Sequence, residues 1–340
     1  MEPLLVVAVA LVLAYAYTNG FHDASNILSA VVASRALPPG RALALVAAFE
    51  LAGPLLAGTA VADTVGGFVD LAGVPRPVAL QVVLAGVAAA SAWNLVTWRW
   101  GLPSSSAHAL VGGLAGAVIV ALGPQRVIWG LAALRAGELA GVVKVFAGLL
   151  AAPWLAATAG FALHRTGRRL LAGARRRTAE RVRTLQILTS AALAFGHGAN
   201  DAQKSMGVLA LALAAAGAAP RVEVTPWIVL ACSAALTLGI LSGGWRIVRT
   251  LGWGIYRLRP LHALDAQLAS AGVILAGSAG GLPVSTTHVV ASAILGVGAS
   301  ERPRRVRWAV AGRILLNWAL TLPAAAALGA GGALVAGRIA

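Results

Sequence analysis

Two strings decide how this chain folds: GLPSSSAH at residues 101–108 and GLPVSTTH at residues 281–288, 180 positions later. A second pair shares nearly the same offset. NGFHDASN at residues 19–26 is echoed by GHGANDAQK at residues 196–204, with Asp23 and Asp201 separated by 178 positions. Polar motifs repeated in order at one spacing mean two related halves. The sequence around them is apolar. Of 340 residues, 59% are hydrophobic and only 11% charged, and the mean hydropathy is +0.82. A soluble chain of this size needs far more charge to coat its core.

Apolar runs near 20 residues, the length that spans a bilayer core, recur along the whole sequence. Ten segments are expected, at 3–33, 42–62, 78–98, 101–122, 138–163, 185–216, 226–245, 263–280, 282–299 and 308–336. The first and sixth exceed one simple span, and their polar, glycine-containing strings are expected to interrupt them. The expected fold is therefore an all-α integral membrane protein of about ten transmembrane segments. Residues 1–163 form one repeat, 164–184 an arginine-rich linker and 185–340 the second repeat. Five segments per half put the second half into the membrane from the opposite side, giving inverted-topology repeats with broken helices or re-entrant hairpins. Whether 101–122 and 282–299 cross or re-enter is open from the sequence alone.

Charge sets the orientation. With the N-terminus outside and each segment crossing once, the cytoplasmic loops hold 19 of the 27 Lys and Arg residues, and the opposite side holds five. That is the positive-inside pattern. It accounts for the net charge of +16 without a nucleic-acid partner. The lone Cys232 excludes an internal disulfide and a CxxC metal site. Glu2 and the absence of an early positive charge favour an uncleaved first span over a signal peptide.

Asp23 and Asp201 are the leading functional residues. A carboxylate at membrane depth costs at least ~2.5 kcal/mol, so it should be paired or bound to a cation. Asn19, Ser25 and Asn26 in one half, and Asn200 and Gln203 in the other, add the oxygens that hard cations prefer. A proton would need only the carboxylate. In the GLP strings, Gly and Pro stop one helix and Ser and Thr start the next. Free N–H groups there, and the hydroxyls of Ser104, Ser105, Ser106, Ser285, Thr286 and Thr287, suit a tetrahedral oxyanion. The plainer reading is ordinary helix capping. His108 and His288 recur at equivalent positions, with a structural hydrogen bond as their expected role. Lys204 aligns with Asn26, so a tethered ammonium replaces a neutral amide, and it could stand in for one bound monovalent cation. Glu50 and His22 are secondary candidates, and the motifs do not decide whether a metal is bound.

Together, NGFHDASN, GHGANDAQKSMG and both GLP strings resemble the inorganic phosphate transporter family, the bacterial low-affinity permeases and their eukaryotic sodium–phosphate relatives. The resemblance covers essentially the whole chain. It implies phosphate held between the two motif regions, often in a homodimer, in the lipid of the bacterial cytoplasmic (plasma) membrane. By that similarity Asp23, Asn26, Asn200 and Asp201 bind coupling cation and phosphate, and Ser105, Ser106, Ser285, Thr286 and Thr287 contact phosphate. Sodium-coupled relatives tend to carry Asn-Asp-x-Ala-Asn in both halves. Here His22 precedes Asp23, and Gln203-Lys204 follows Asp201, which looks like the permeases that use protons and take phosphate with a metal such as Mg²⁺. The expected function is inorganic phosphate import by cation symport, with a proton or Na⁺ as coupling ion and no covalent cofactor. Sodium-coupled phosphate or sulfate transport is the near alternative. An intramembrane lipid-pyrophosphate phosphatase is the rival from another class, but near-identical motifs offer no nucleophile–base asymmetry, so an enzyme is not expected.

Overall fold

The structure, a computed structural model, describes residues 3–173 and 176–339, so Arg175 of the expected linker lies outside the described residues. It is nearly all helical, with α1 (Pro3–Ala33), α2 (Pro39–Leu56), α3 (Ala60–Gly66), α4 (Arg76–Arg99), α5 (Ser106–Leu122) and α6 (Leu131–Arg135) in the first half. After these come α7 (Gly141–Leu170), α8 (Arg176–Ala215), α9 (Pro226–Ser242), α10 (Trp245–Arg249), α11 (Pro260–Ala279), α12 (Thr286–Glu301) and α13 (Trp308–Ile339). The stretch 164–184 is largely absorbed by the ends of α7 and α8.

Among the described residues, α1, α2, α4, α7 and α13 are long and apolar enough to cross a membrane. The segment 226–254, bent by 60° between α9 and α10, adds a sixth candidate. By contrast α5 has 17 residues and α12 has 16. At 1.5 Å per residue they reach only about 25 Å, short of a ~30 Å hydrocarbon core.

The GLP strings break the helix where expected. Gly101 and Gly281 both take φ of 64°, which L side chains rarely adopt, and the chain runs extended until Ser105 and Ser285 start α5 and α12. The other motif pair behaves differently. NGFHDASN and GHGANDAQK were expected to interrupt their helices, but α1 and α8 run through them without a break. The balance is physical. One glycine in a helix costs ~1 kcal/mol, whereas each unpaired backbone group in lipid costs several. The motif glycines serve contact instead. A Cβ on Gly20 would strike the Leu236 carbonyl on α9, and one on Gly198 would strike the Glu50 carbonyl on α2. Small residues let membrane helices approach to backbone contact.

Those contacts interlock the halves: α1 packs on α9 and α8 on α2. Meanwhile α5 lies between α4 and α13, and α12 between α7 and α11. Both apolar cores mix the halves, one joining Tyr15 and Leu114 to Met206 and Leu236, the other joining Ile27 and Val31 to Leu251 and Val290. Gly198→Ala should therefore destabilise the protein by about 1–3 kcal/mol through overpacking. Gly272→Ala, inside α11 where an added Cβ meets nothing within 4 Å, should instead leave the thermal unfolding temperature in detergent equal or slightly raised.

Candidate functional site

The site lies where the middles of α1 and α8 meet the starts of α5 and α12. Asp23 is 1% exposed and Asp201 is fully buried. Asp23 Oδ1 accepts from Thr287 Oγ1 at 3.1 Å and sits 2.8 Å from His22 Nδ1, while Oδ2 accepts from Ser106 Oγ at 3.0 Å. One carboxylate in the first half of the chain thus ties together the starts of α5 and α12. Asn26 Nδ2 donates to Thr287 Oγ1 at 2.9 Å, and its Oδ1, fully buried, has no partner.

Asp201 faces a cation of the protein's own. Lys204 Nζ donates to Asp201 Oδ1 at 2.5 Å and to the Val284 carbonyl at 2.9 Å. The ammonium does not reach away to an interface. It is 1% exposed and lies one turn along the same helix, which answers the expectation of a fixed positive charge. Thr286 Oγ1 is 3.5 Å from Asp201 Oδ2, long for a hydrogen bond.

His197, which the sequence reading passed over, is the hub. Its Nδ1 is 2.6 Å from Glu50 Oε1, and its Nε2 is 3.4 Å from Asp201 Oδ2 and 4.0 Å from Asp23 Oδ2. Three carboxylates from three helices surround one fully buried imidazole. A neutral ring can donate from only one nitrogen, so a second proton would meet carboxylates on both sides. Asp23, His197 and Asp201 also offer one ligand atom each within 4.8 Å of one another, a set able to hold a metal ion. The repeat held the signal: at the offset that aligns Asp23 with Asp201, His197 falls opposite Asn19. Glu50, a secondary candidate from the sequence, joins the centre through this histidine.

Several expected ligands are placed otherwise. Ser105 and Ser285 are N-caps whose hydroxyls accept the backbone N–H of His108 and His288 at 3.2 and 3.3 Å, so the capping reading holds for them. Ser104 bonds Thr321 at 2.9 Å. Gln203 Oε1 accepts the Val61 and Ala62 N–H groups at 2.8 and 3.2 Å, meeting the otherwise free start of α3 rather than the carboxylates. Ser25 Oγ donates to the His22 carbonyl of its own helix at 3.1 Å. Asn200 braces the loop before α12, donating to the Leu282 carbonyl at 3.2 Å and accepting from Val284 N at 3.2 Å. Asn19 is fully buried with neither side-chain atom partnered. His108 and His288 lie against one another with ring centroids 4.8 Å apart and planes tilted by 33°, and His108 Nδ1 is 2.7 Å from Ser105 Oγ. Tyr15, also unforeseen, donates to the Ser106 carbonyl at 3.2 Å.

What converges is therefore a buried charge cluster, Asp23, Asp201, Glu50, His197 and Lys204, faced by the hydroxyls of Ser106, Thr286 and Thr287 at two helix starts. Helical spans around a polar, charged centre define a multi-pass membrane transporter rather than an enzyme. The comparisons agree. The chain matches the phosphate transporter family over residues 19–329 and belongs to that family. It is 39% identical over 340 residues to the "Probable low-affinity inorganic phosphate transporter" of Bacillus subtilis (strain 168), covering 97% of each chain. It is 40% identical over 330 residues to a protein of the same description from Mycobacterium tuberculosis (strain ATCC 25618 / H37Rv), covering 96% of this chain and 76% of that one. A solved structure described as "The sodium-dependent phosphate transporter" shares the fold, with a TM-score of 0.81 at 24% identity, covering 99% of this chain and 100% of that chain.

The geometry separates hydroxyls that cap a helix from hydroxyls that face the buried carboxylates. Ser105→Ala should cost about 1 kcal/mol of stability and reduce phosphate binding by less than threefold. Thr287→Ala, which removes a hydroxyl held between Asp23 and Asn26, should weaken phosphate binding at least tenfold, and it should also cost about 1–3 kcal/mol of stability because two buried polar groups lose a partner. Titration calorimetry and thermal unfolding of the same samples would check both.

Proposed function

We propose that this chain imports inorganic phosphate by symport with protons, using alternating access between two inverted repeats. The observation that carries the reading is His197, held between Glu50, Asp23 and Asp201. Phosphate at the centre would recruit the hydroxyls of Ser106, Thr286 and Thr287, which otherwise donate to the carboxylates. The carboxylates would then lose donors just as more negative charge arrives, and a proton on the imidazole offsets both changes. Lys204 places an amine beside Asp201 where Asn26 stands in the first repeat, so one cation fewer has to be bound beside the anion, although a tethered charge does not offset the cost of moving the anion through the membrane potential.

The membrane potential sets the demand. One charge moved through 100 mV is worth about 2.3 kcal/mol, so a phosphate dianion entering a negative interior opposes roughly twice that. Two cations cancel the cost, and a third makes the potential drive uptake. Carrying phosphate as a neutral Mg²⁺ complex would remove the charge problem and leave one proton as the driving ion. The reading includes ten membrane segments with the N-terminus outside, the arginine-rich stretch 164–184 in the cytoplasm, and a homodimer in the bacterial plasma membrane.

Sodium coupling is the second reading, favoured by the ability of Asp23, His197 and Asp201 to hold a metal ion. Labelled phosphate uptake into proteoliposomes decides between them. We expect accumulation under an inward proton gradient, stimulated by Mg²⁺ and indifferent to sodium. Asp23→Asn and Asp201→Asn should abolish it, and His197→Gln should leave downhill exchange but lose proton-driven accumulation. Accumulation that requires sodium would overturn the proton assignment. No accumulation by folded protein under any gradient would overturn phosphate symport itself.

A further inference from the structure

Away from the buried centre, the arginine-rich face carries an open cleft of about 640 Å³. It forms where the end of α1, the turn leading into α11 and the turn after α12 meet. Six guanidiniums line it, those of Arg35, Arg257, Arg259, Arg302, Arg305 and Arg307. Among the described residues none of the six lies within ion-pair distance of a carboxylate. The one carboxylate in the wall is already engaged: Glu301 Oε2 sits 3.0 Å from Arg168 Nη1 and 3.1 Å from His164 Nε2. His164 is itself held from the far side, with Nδ1 2.8 Å from Asp265 Oδ2. The positive charge of the cleft therefore stands unneutralised by its own wall.

Topology alone does not call for this arrangement. The positive-inside bias is met by basic residues anywhere in the short loops, yet here six converge on one concavity of the size that small ligands occupy, roughly 300–1,000 Å³. Arg35 adds an independent sign. It ends α1 with φ of 60°, with Ala36 N–H bonded back to the Val31 carbonyl. That left-handed position ordinarily falls to Gly or Asn, and here it is given to a side chain whose guanidinium lines the cleft. Guanidinium forks match phosphate oxygens two at a time. The cleft is also clear of the transport centre. Seven residues of α1, about 10 Å of helix, and the turn after it separate Asn26 from Arg35, and the length of α12 separates Thr286 from Glu301, about 22 Å.

We propose that this cleft is a second anion site, which takes a ligand bearing two or more phosphate groups, either a soluble polyphosphate-type anion or the headgroup of an anionic lipid. That it opens to the cytoplasm rests on the orientation proposed above; the site itself does not. A ligand seated there bridges the ends of α1 and α12, the helices whose other parts hold Asp23, Asn26, Thr286 and Thr287.

The test measures binding, so its outcome is independent of which ion drives uptake. The full chain is placed in nanodiscs of neutral phosphatidylcholine and titrated with inorganic tripolyphosphate. A cleft variant, Arg302→Ala/Arg305→Ala/Arg307→Ala, is compared with Arg181→Ala/Arg183→Ala/Arg304→Ala, which removes the same charge outside the cleft. In parallel, native mass spectrometry counts cardiolipin, which carries two phosphates, retained by each protein from anionic nanodiscs, with phosphatidylglycerol, which carries one, as the comparison. Tripolyphosphate binding that falls at least tenfold in the cleft variant alone identifies a soluble ligand. Retained anionic lipid lost in the cleft variant alone identifies a headgroup. The single variant Arg305→Ala, expected to weaken the same signal about threefold, serves if the triple variant does not fold. Equal behaviour of the two triple variants in both arms, or no binding in either, would overturn the proposal.

Discussion

Two carboxylates buried at membrane depth set the terms for the rest of this molecule. Asp23 and Asp201 cannot be left unpaired in hydrocarbon, and the structure surrounds them with donors drawn from four helices. Their partners come from both halves: Ser106 and Thr287 for Asp23, and Lys204, His197 and the more distant Thr286 for Asp201. The site therefore cannot form within one half, and the interlocked packing of α1 on α9 and α8 on α2 follows from the same need. Close helix approach at Gly20 and Gly198 is the backbone counterpart of that requirement, because it holds the charged side chains deep and excludes lipid.

The same charges explain why such a centre can move an anion. A transporter must make its site favourable for phosphate only while the accompanying charge is present. Hydroxyls at the starts of α5 and α12 can donate either to the carboxylates or to an arriving oxyanion. In the proposed mechanism a single protonatable ring between three carboxylates would link that exchange of partners to a proton. Lys204 sits against Asp201 where the first half has Asn26, so the two halves are chemically unequal although their motifs match.

Much of this was legible in the sequence. The repeated GLP strings located the helix breaks, and Gly101 and Gly281 adopt matching backbone there. The paired Asp residues lie together in the buried charge cluster, and Lys204, which aligns with Asn26, lies there against Asp201. Other features were hidden for physical reasons. Polar residues and glycines suggest interruption, but lipid penalises a broken backbone more than a helix penalises one glycine, so α1 and α8 stay whole. Serines at a helix start look alike in sequence, and only the geometry separates the cap Ser105 from Ser106, whose hydroxyl reaches Asp23. The repeat offset sets His197 opposite Asn19 but gives it no role, because its meaning depends on Glu50, 147 positions earlier. Gln203 looked like an oxygen ligand, and only the end of α3, which it caps, gives it another task.

The most direct measurement is calorimetric titration of phosphate into the sodium-free protein, in buffers of different ionisation enthalpy. The account predicts binding without sodium, with net proton uptake beyond that of phosphate's own ionisation, and loss of that uptake in His197→Gln. Binding that requires sodium and takes up no proton would contradict it.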